Sequence, residues 1–362
     1  MLVCLLLLFT GACLVSKEGK LRVPVYIIIA FGIYSVFLIL GLYYDHNNPT
    51  IDIKFQFYAF LFYLFFVNAK DLNILKFLFI LNAIVLVTYT AIYLGLLPNL
   101  WHQSIIGFRG RVYGPSIIPI VLISFYYLYH KMPFDFPLAI SYAIAMPYLL
   151  LTTNLMNIVI AGVLLFLIIA NLRKIFQPKF LFGVTGLLIG FFLLLNSSFA
   201  PELIKEKLPY VLKPLEYASL KIRVDDFNEA LKVEGFTLVE KMFGNGFGAS
   251  TTIYRENEKA QSWSAYFTFQ EIDNGFYYLY HRGGYLLLII FFVTHFYLLL
   301  KIPSIKAKLG FLFIVLFTCL LSIHYFNNVF YLLIPFLILE SPTKEYSTNK
   351  NSIDEALSIH SP

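Results

Sequence analysis

Charge is what this chain has least of. Asp, Glu, Lys and Arg make up 13% of its 362 residues, against 59% hydrophobic residues. A water-soluble domain carries about a quarter charged residues, so an ordinary globular fold would have too little polar surface to face water. Cysteine is scarce as well. Cys4, Cys13 and Cys319 sit in apolar stretches without paired spacing, which argues against a disulfide framework and a thiolate metal site. The glycine run 244–248 has no Lys-Ser/Thr after it and no strand pattern before it, which excludes a nucleotide phosphate loop. A basic stripe is missing too: the net charge of +6 comes from basic residues placed singly or in pairs between apolar runs. That distribution marks membrane topology and excludes nucleic acid as a partner.

What is present is a series of apolar runs, near 1–15, 23–43, 53–67, 72–96, 117–129, 138–151, 157–170, 180–199, 276–300, 309–323 and 326–339. Each is near the length that a hydrocarbon layer of roughly 30 Å requires, which predicts about eleven transmembrane helices. The run 1–15 lacks the basic start of a secretory signal and is followed by more apolar runs, so a first span is expected. Its shortness points to a tilted or incomplete helix, or to a longer natural N-terminus. Lys17, Lys20, Arg22, Lys70, Lys76, Lys131, Arg173, Lys174, Lys179, Lys301, Lys306 and Lys308 mark alternate connections as cytoplasmic. The connections 44–52, 97–116, 152–156 and 324–325, with the long loop 200–275, then face outward. The expected fold class is an all-α polytopic membrane protein. Transmembrane helices occupy 1–199, a mostly helical outer loop 200–275, further transmembrane helices 276–340, and a disordered cytoplasmic tail 341–362.

Two outward basic features break the positive-inside pattern. Phe108-Arg109-Gly110-Arg111-Val112-Tyr113-Gly114-Pro115 stands immediately before a span. Its glycines allow close backbone approach and its guanidinium forks match phosphate oxygens, although snorkelling to lipid headgroups is the blander account. Arg223 lies in Leu220-Lys221-Ile222-Arg223-Val224-Asp225-Asp226; a surface ion pair with Asp225 or Asp226 is the bland alternative there. A third segment, Glu271-Ile272-Asp273-Asn274-Gly275, leads into Tyr277, Tyr280, His281, Arg282, Gly283 and Gly284 at the mouth of a span. Two carboxylates, an imidazole and an arginine suit a general base with an anion clamp, or a helix cap with an interfacial histidine.

Other features organise the outer loop. Lys205, Lys207 and Lys213 interleave with apolar residues in a pattern suited to an interfacial helix, broken by Pro209 and Pro214. Phe227, Ala230, Leu231 and Glu234 recur at helical spacing, and Gly244-Asn245-Gly246-Phe247-Gly248 reads as a tight turn that places the loop. Asn154 and Asn157 suit either a contact between helices or a cavity lining.

In this order the features resemble the O-antigen polymerase and O-antigen ligase superfamily of polytopic membrane glycosyltransferases, over residues 105–340. Arg111-Val112-Tyr113-Gly114 matches the Arg-x-x-Gly element that opens a mid-chain span in that family. Arg223 matches an arginine near the start of its catalytic loop, Gly244 to Gly248 its glycine turn, and Asp273-Asn274 with Gly283-Gly284 its last polar element. The chain departs from ligases, which tend to carry His-Asn where Asp273-Asn274 stands, and from relatives with an arginine near Asn154 to Asn157. The first departure points to a polymerase of O-antigen, capsule or exopolysaccharide.

The resemblance implies a GT-C-like enzyme of the bacterial cytoplasmic (inner) membrane, with a periplasmic catalytic loop at 200–275. It would carry out inverting sugar transfer from an undecaprenyl (polyprenyl) diphosphate donor to a sugar hydroxyl on another lipid-linked repeat unit. Arg111 and Arg223, helped by Arg109 and Arg282, would hold the diphosphate and stabilise the leaving group. Asp273 or Glu271 is the first choice of general base and His281 the second; Asp225 stays open beside Arg223. No cofactor or metal is implied, because arginines neutralise the diphosphate and the outward segments lack Asp-x-Asp. Implied partners are the lipid-linked donor and acceptor, membrane lipid, a chain-length regulator and a flippase. Glu256, Glu258, Trp263, Tyr266 and Phe267 are candidate glycan contacts. Ligase-type transfer is the alternative. A transporter of lipid-linked glycan is a further one, disfavoured by the lack of matching halves.

Overall fold

The computed structural model describes residues 21–46, 48–68, 73–93, 96, 119–152, 155–170, 186, 189, 218–233, 237–255 and 265–340. Its helices follow the apolar runs. They are α1 (Val25–Tyr43), α2 (Lys54–Asn68), α3 (Ile74–Tyr93), α4 (Ile120–Tyr129), α5 (Phe136–Thr152) and α6 (Leu155–Ile169). The segment 200–275, expected from sequence to be the outer loop and called by that name below, contributes α7 (Ala218–Val233), α8 (Leu238–Phe243), β1 (Thr251–Arg255) and β2 (Ala265–Phe269). The chain then forms α9 (Gly275–Lys301), α10 (Ile305–Leu321), α11 (His324–Asn327) and α12 (Val329–Glu340).

Among the described residues, three stretches are long and apolar enough to cross a membrane: α1, Pro49–Asn68, in which a 3-10 turn leads into α2, and α9. Shorter apolar helices occupy α3, α4, α5, α6 and α12. The expected runs 1–15 and 180–199 (apart from 186 and 189) and the tail fall outside the described residues. The exposed surfaces of the longest helices are apolar, as those of membrane-spanning helices are. Ile28, Ile29, Val36, Ile39 and Leu42 of α1 and Ile289, Phe292, Val293, Phe296 and Leu300 of α9 are all exposed. Polar side chains are turned inward instead, as where lipid replaces water outside a bundle. Tyr331 of α12 donates to Asn157 Oδ1 of α6 at 2.8 Å, and Ser124 of α4 meets the Tyr142 hydroxyl of α5 at 2.7 Å. Asn157 is therefore a contact between helices; Asn154 lies outside the described residues.

The outer loop contains a β-hairpin as well as helices, which the sequence reading did not anticipate. Its strands pair antiparallel with Ile253 opposite Phe267 and Thr252 opposite Thr268, whose hydroxyls lie 2.9 Å apart. The cause is a period-two pattern: Thr251 and Ile253 are buried while Thr252 between them is exposed. Phe227 and Ala230 of α7 close over Ile253, Phe269, Ile272 and Tyr277 to make a small second core. Leu231, from the same helical pattern, faces out. Arg255 Nε donates to Asp226 at 2.7 Å and fastens α7 to the hairpin.

The loop is joined to the bundle at a break in α9. Gly284 takes φ 59° and ψ −158°, which interrupts the helical ladder and leaves carbonyls of the preceding turn open to other donors. Asn245 N–H donates to the His281 carbonyl (2.9 Å), Gly246 N–H to that of Arg282 (3.0 Å), and Phe247 N–H to that of Phe37 in α1 (3.0 Å). The glycine run is thus the placing turn its sequence suggests. Buried irregular backbone survives only where its polar groups find partners, as they do here.

Gly246 decides whether this seam closes. Its φ is +77°, and a Cβ there would lie 2.3 Å from the backbone nitrogen of Gly41. Gly246→Ala is expected to cost at least the roughly 1–3 kcal/mol of an unfavourable backbone conformation. Gly32→Ala, with nothing within 4 Å of the new Cβ, is expected to be neutral or stabilising. Thermal unfolding of both variants in detergent checks the contrast.

Candidate functional site

Two polar clusters meet where the outer loop reaches the helices. The deeper one is built on Arg282, which follows the first two turns of α9 and is 1% exposed, and on Asp52, which is fully buried. Arg282 Nε donates to Asp52 Oδ2 at 2.8 Å, and the same oxygen accepts from Gly248 N–H at 2.6 Å. Arg282 Nη2 donates to the Gln270 carbonyl, and Nη1 donates to His281 Nδ1 at 2.7 Å. His281 therefore carries its proton on Nε2, which faces the Thr251 hydroxyl at 3.2 Å. Thr251 in turn meets the Tyr277 hydroxyl at 3.0 Å, and the Tyr277 ring stacks on His281.

This geometry differs from the sequence expectation for both residues. Arg282 is expected there to assist with a diphosphate, but all three of its nitrogens are engaged internally and its fork is shut away from solvent. His281, the second choice of base, has its Nδ1 occupied by that guanidinium and is buried. Both act as tethers between α9 and the loop.

The shallower cluster lies at the N-terminus of α9. Asn274 caps that helix by accepting from Tyr277 N–H at 2.9 Å, and its amide donates to the Leu320 carbonyl of α10 at 3.3 Å. The cap holds Asp273 and Glu271 against the α10–α11 corner. Asp273 Oδ2 pairs with Arg223 Nε at 2.9 Å, with both side chains partly exposed at 45% and 32%. Arg223 Nη1 donates to the Leu321 carbonyl at 3.0 Å, and its Nη2 makes no hydrogen bond among the described residues. Ser322 makes a long contact to Asp273 Oδ1 (3.5 Å) and lies 3.3 Å from His324 Nδ1. Asn327 of α11 donates to Glu271 at 3.2 Å.

The electrostatics of the two carboxylates differ. Burial raises the Glu271 pKa above its ordinary value, the Asp52 charge adds to this, and Asn327, Arg282 and Lys54 oppose it. Burial lowers the His324 pKa, with Arg223 adding to the effect and Asp273 opposing it. His324 is thus a weaker base than an ordinary imidazole, and it stands beside a partly exposed carboxylate and guanidinium.

Arg223, Asp273 and Glu271 are thus brought to one corner. The bland partners of Arg223 are not used: Asp225 is exposed and Asp226 is taken by Arg255. Arg109, Arg111, Glu256, Glu258 and Trp263 lie outside the described residues. Of the remaining glycan candidates, Tyr266 is exposed on the outward side of β2 and Phe267 faces the other way. Three residues not singled out from sequence complete the arrangement: Asp52, Ser322 and His324. A signal for two of them was present, because Asp52 and His324 lie in short connections between apolar runs. A pocket of about 380 Å³ opens beside the deeper cluster, lined by Asp45, His46, Gly248, Ser250, Thr268 and Gln270. Among the described residues no group of three His, Cys, Asp or Glu side chains could hold a metal ion. No family model matches the chain, and no curated protein or solved structure matches it either.

Two outcomes follow from this geometry. Asp52→Ala strands the buried Arg282 charge and is expected to cost about 3–5 kcal/mol, whereas the apolar double replacement Asp52→Leu with Arg282→Met recovers much of the loss. Denaturant titration in detergent reads both. Glu271 binds its proton more tightly in the folded state than in the unfolded chain. Its contribution to stability therefore falls as pH rises from the ordinary value of 4.5 through the raised folded value. Glu271→Gln is expected to flatten the melting-temperature profile across that window.

Proposed function

We propose that the chain is a membrane glycosyltransferase that polymerises polyprenyl-diphosphate-linked oligosaccharide repeat units by inverting transfer at the outer face of the cytoplasmic membrane. The observation that carries the reading is the Arg223–Asp273 pair, a base and an anion ligand held together at the mouth of α9 and open to solvent. Arg223 is already oriented by the Leu321 carbonyl and has one guanidinium edge unengaged among the described residues.

In this mechanism the donor diphosphate draws the guanidinium of Arg223 toward itself, helped by Arg111. That frees Asp273 to accept a proton. The acceptor sugar hydroxyl attacks the anomeric carbon, its proton passes to Asp273, and the bond from that carbon to the diphosphate oxygen breaks on the opposite face. Charge accumulates on the departing oxygen, where fixed cations stabilise it most. Glu271, kept less acidic by burial, is the alternative base. Asp273, where ligases tend to carry histidine, favours polymerisation over transfer to a final acceptor.

Arg223→Ala is expected to reduce chain extension about 10²–10³-fold, the usual loss on deleting one charge-stabilising group, with protein abundance unchanged. Asp273→Asn and Arg111→Ala are expected to act in the same direction. Membranes supplied with lipid-linked repeat units, their products resolved by electrophoresis, test this. Wild-type chain lengths in the Arg223 and Asp273 variants would reject the mechanism. Full-length polymer left on its carrier lipid would indicate a ligase, and movement of substrate across vesicles without bond formation a transporter.

A further inference from the structure

The outer-loop helix α8 presents a surface that the site does not use. Leu238, Val239, Met242 and Phe243 are 78%, 60%, 43% and 46% exposed. Their spacing puts all four on one side of the helix, away from Glu240 and Lys241. A helix this short is marginal alone, but a capping box holds it: the Thr237 side chain accepts from Glu240 N–H, and the Glu240 carboxylate accepts from Thr237 N–H at 2.7 Å. Four adjacent large apolar side chains on an ordered helix would be an unexplained patch if water bathed them.

The surroundings of α8 identify what covers them. Its last turn abuts the break in α9, where a Cβ on Gly284 would lie 2.4 Å from the Met242 backbone carbon. The residues that follow bond to His281, Arg282 and Phe37, which fixes α8 beside both lipid-facing helices. From Gly284 to Lys301 the helix runs for about 26 Å at 1.5 Å per residue, close to one hydrocarbon thickness. Gly284 therefore marks the edge of the apolar layer. Aromatic residues stand close to this seam in the chain: Tyr285 follows the break in α9, and Tyr43 and Tyr44 follow Gly41, which backs onto Gly246; all three are exposed. Such rings favour the boundary between acyl chains and headgroups. Leu286, which follows Tyr285 after the break, is exposed as well.

We infer that α8 is an interfacial helix whose Leu238, Val239, Met242 and Phe243 insert among the acyl chains of the leaflet at the Gly284 end of α9. Lys241, exposed on the flanking side, is within reach of headgroup phosphates. The short helix is a lipid anchor for the loop, in register with the glycine seam. The inference does not depend on sugar transfer.

The test uses the full chain in nanodiscs of phosphatidylethanolamine and phosphatidylglycerol. Single spin labels are placed by Leu238→Cys and Val239→Cys after Cys4→Ser and Cys13→Ser; Cys319 is buried and stays unlabelled. Both labelled positions are more than half exposed, so the substitutions remove little packing. The oxygen-to-nickel collision ratio is expected to be several-fold higher at both positions than at Thr268→Cys on the exposed face of the hairpin, and close to that at Tyr285→Cys. A ratio equal to the Thr268 control would overturn the inference by showing water at the patch. Dipolar broadening at both positions would overturn it differently, by showing a second copy of the chain there.

Discussion

A buried ion pair governs how this molecule is put together. Asp52 and Arg282 come from chain positions far apart, and neither reaches solvent. Removing two charges from water costs several kcal/mol per ion, and the cost is offset only when the remaining donors and acceptors are also satisfied. Here the satisfaction comes from elsewhere in the chain: Gly248 N–H on Asp52, and the Gln270 carbonyl and His281 on Arg282. The turn before α2, the glycine run, the end of the hairpin and α9 must all be in place together. One acceptor, Asp52 Oδ1, has no hydrogen bond among the described residues, so the pair specifies an arrangement more than it maximises stability.

The break in α9 belongs to the same arrangement. A continuous helix would use its own carbonyls, and the outer loop would have no backbone to dock on. By turning at Gly284 the helix offers two carbonyls to the glycine run, and Phe247 fills the space against Tyr34 and Phe37 of α1. Rigid placement of the broken helix has a consequence a few residues earlier. Asp273 and Glu271 directly precede the capped start of α9, so fixing that helix fixes them relative to Arg223 and His324. The buried cluster positions, while the shallower one keeps charged groups partly in water, where a charged ligand can reach them.

The positions of the described helices were legible because apolar runs of this length have few alternatives in a chain so poor in charge. α1, α2 and α9 begin and end within two residues of the runs at 23–43, 53–67 and 276–300. The glycine turn was legible for a similar reason, since three alternating glycines stop a helix. The hairpin was not. Five-residue strands interrupted by the polar stretch 256–264 give too little alternation to stand out beside helical periodicity. Arg223, Asp273 and Glu271 were recognisable as charges at helix mouths. Nothing in their spacing, however, distinguished them from Arg282, an arginine at a helix mouth with a wholly internal role.

Composition and periodicity by themselves determined that the chain forms apolar helices of membrane-crossing length, with one long polar excursion between them. Those properties depend on local hydrophobicity and helix rise, which neighbours along the chain are enough to specify. The tertiary structure decided which charges face inward and which outward, because burial depends on segments that only folding brings together. Asp52 precedes Arg282 by most of the chain, and Arg223 meets Asp273 across the loop. No sequence spacing encodes either meeting; both follow from the seam that closes between α1, the glycine run and the broken helix.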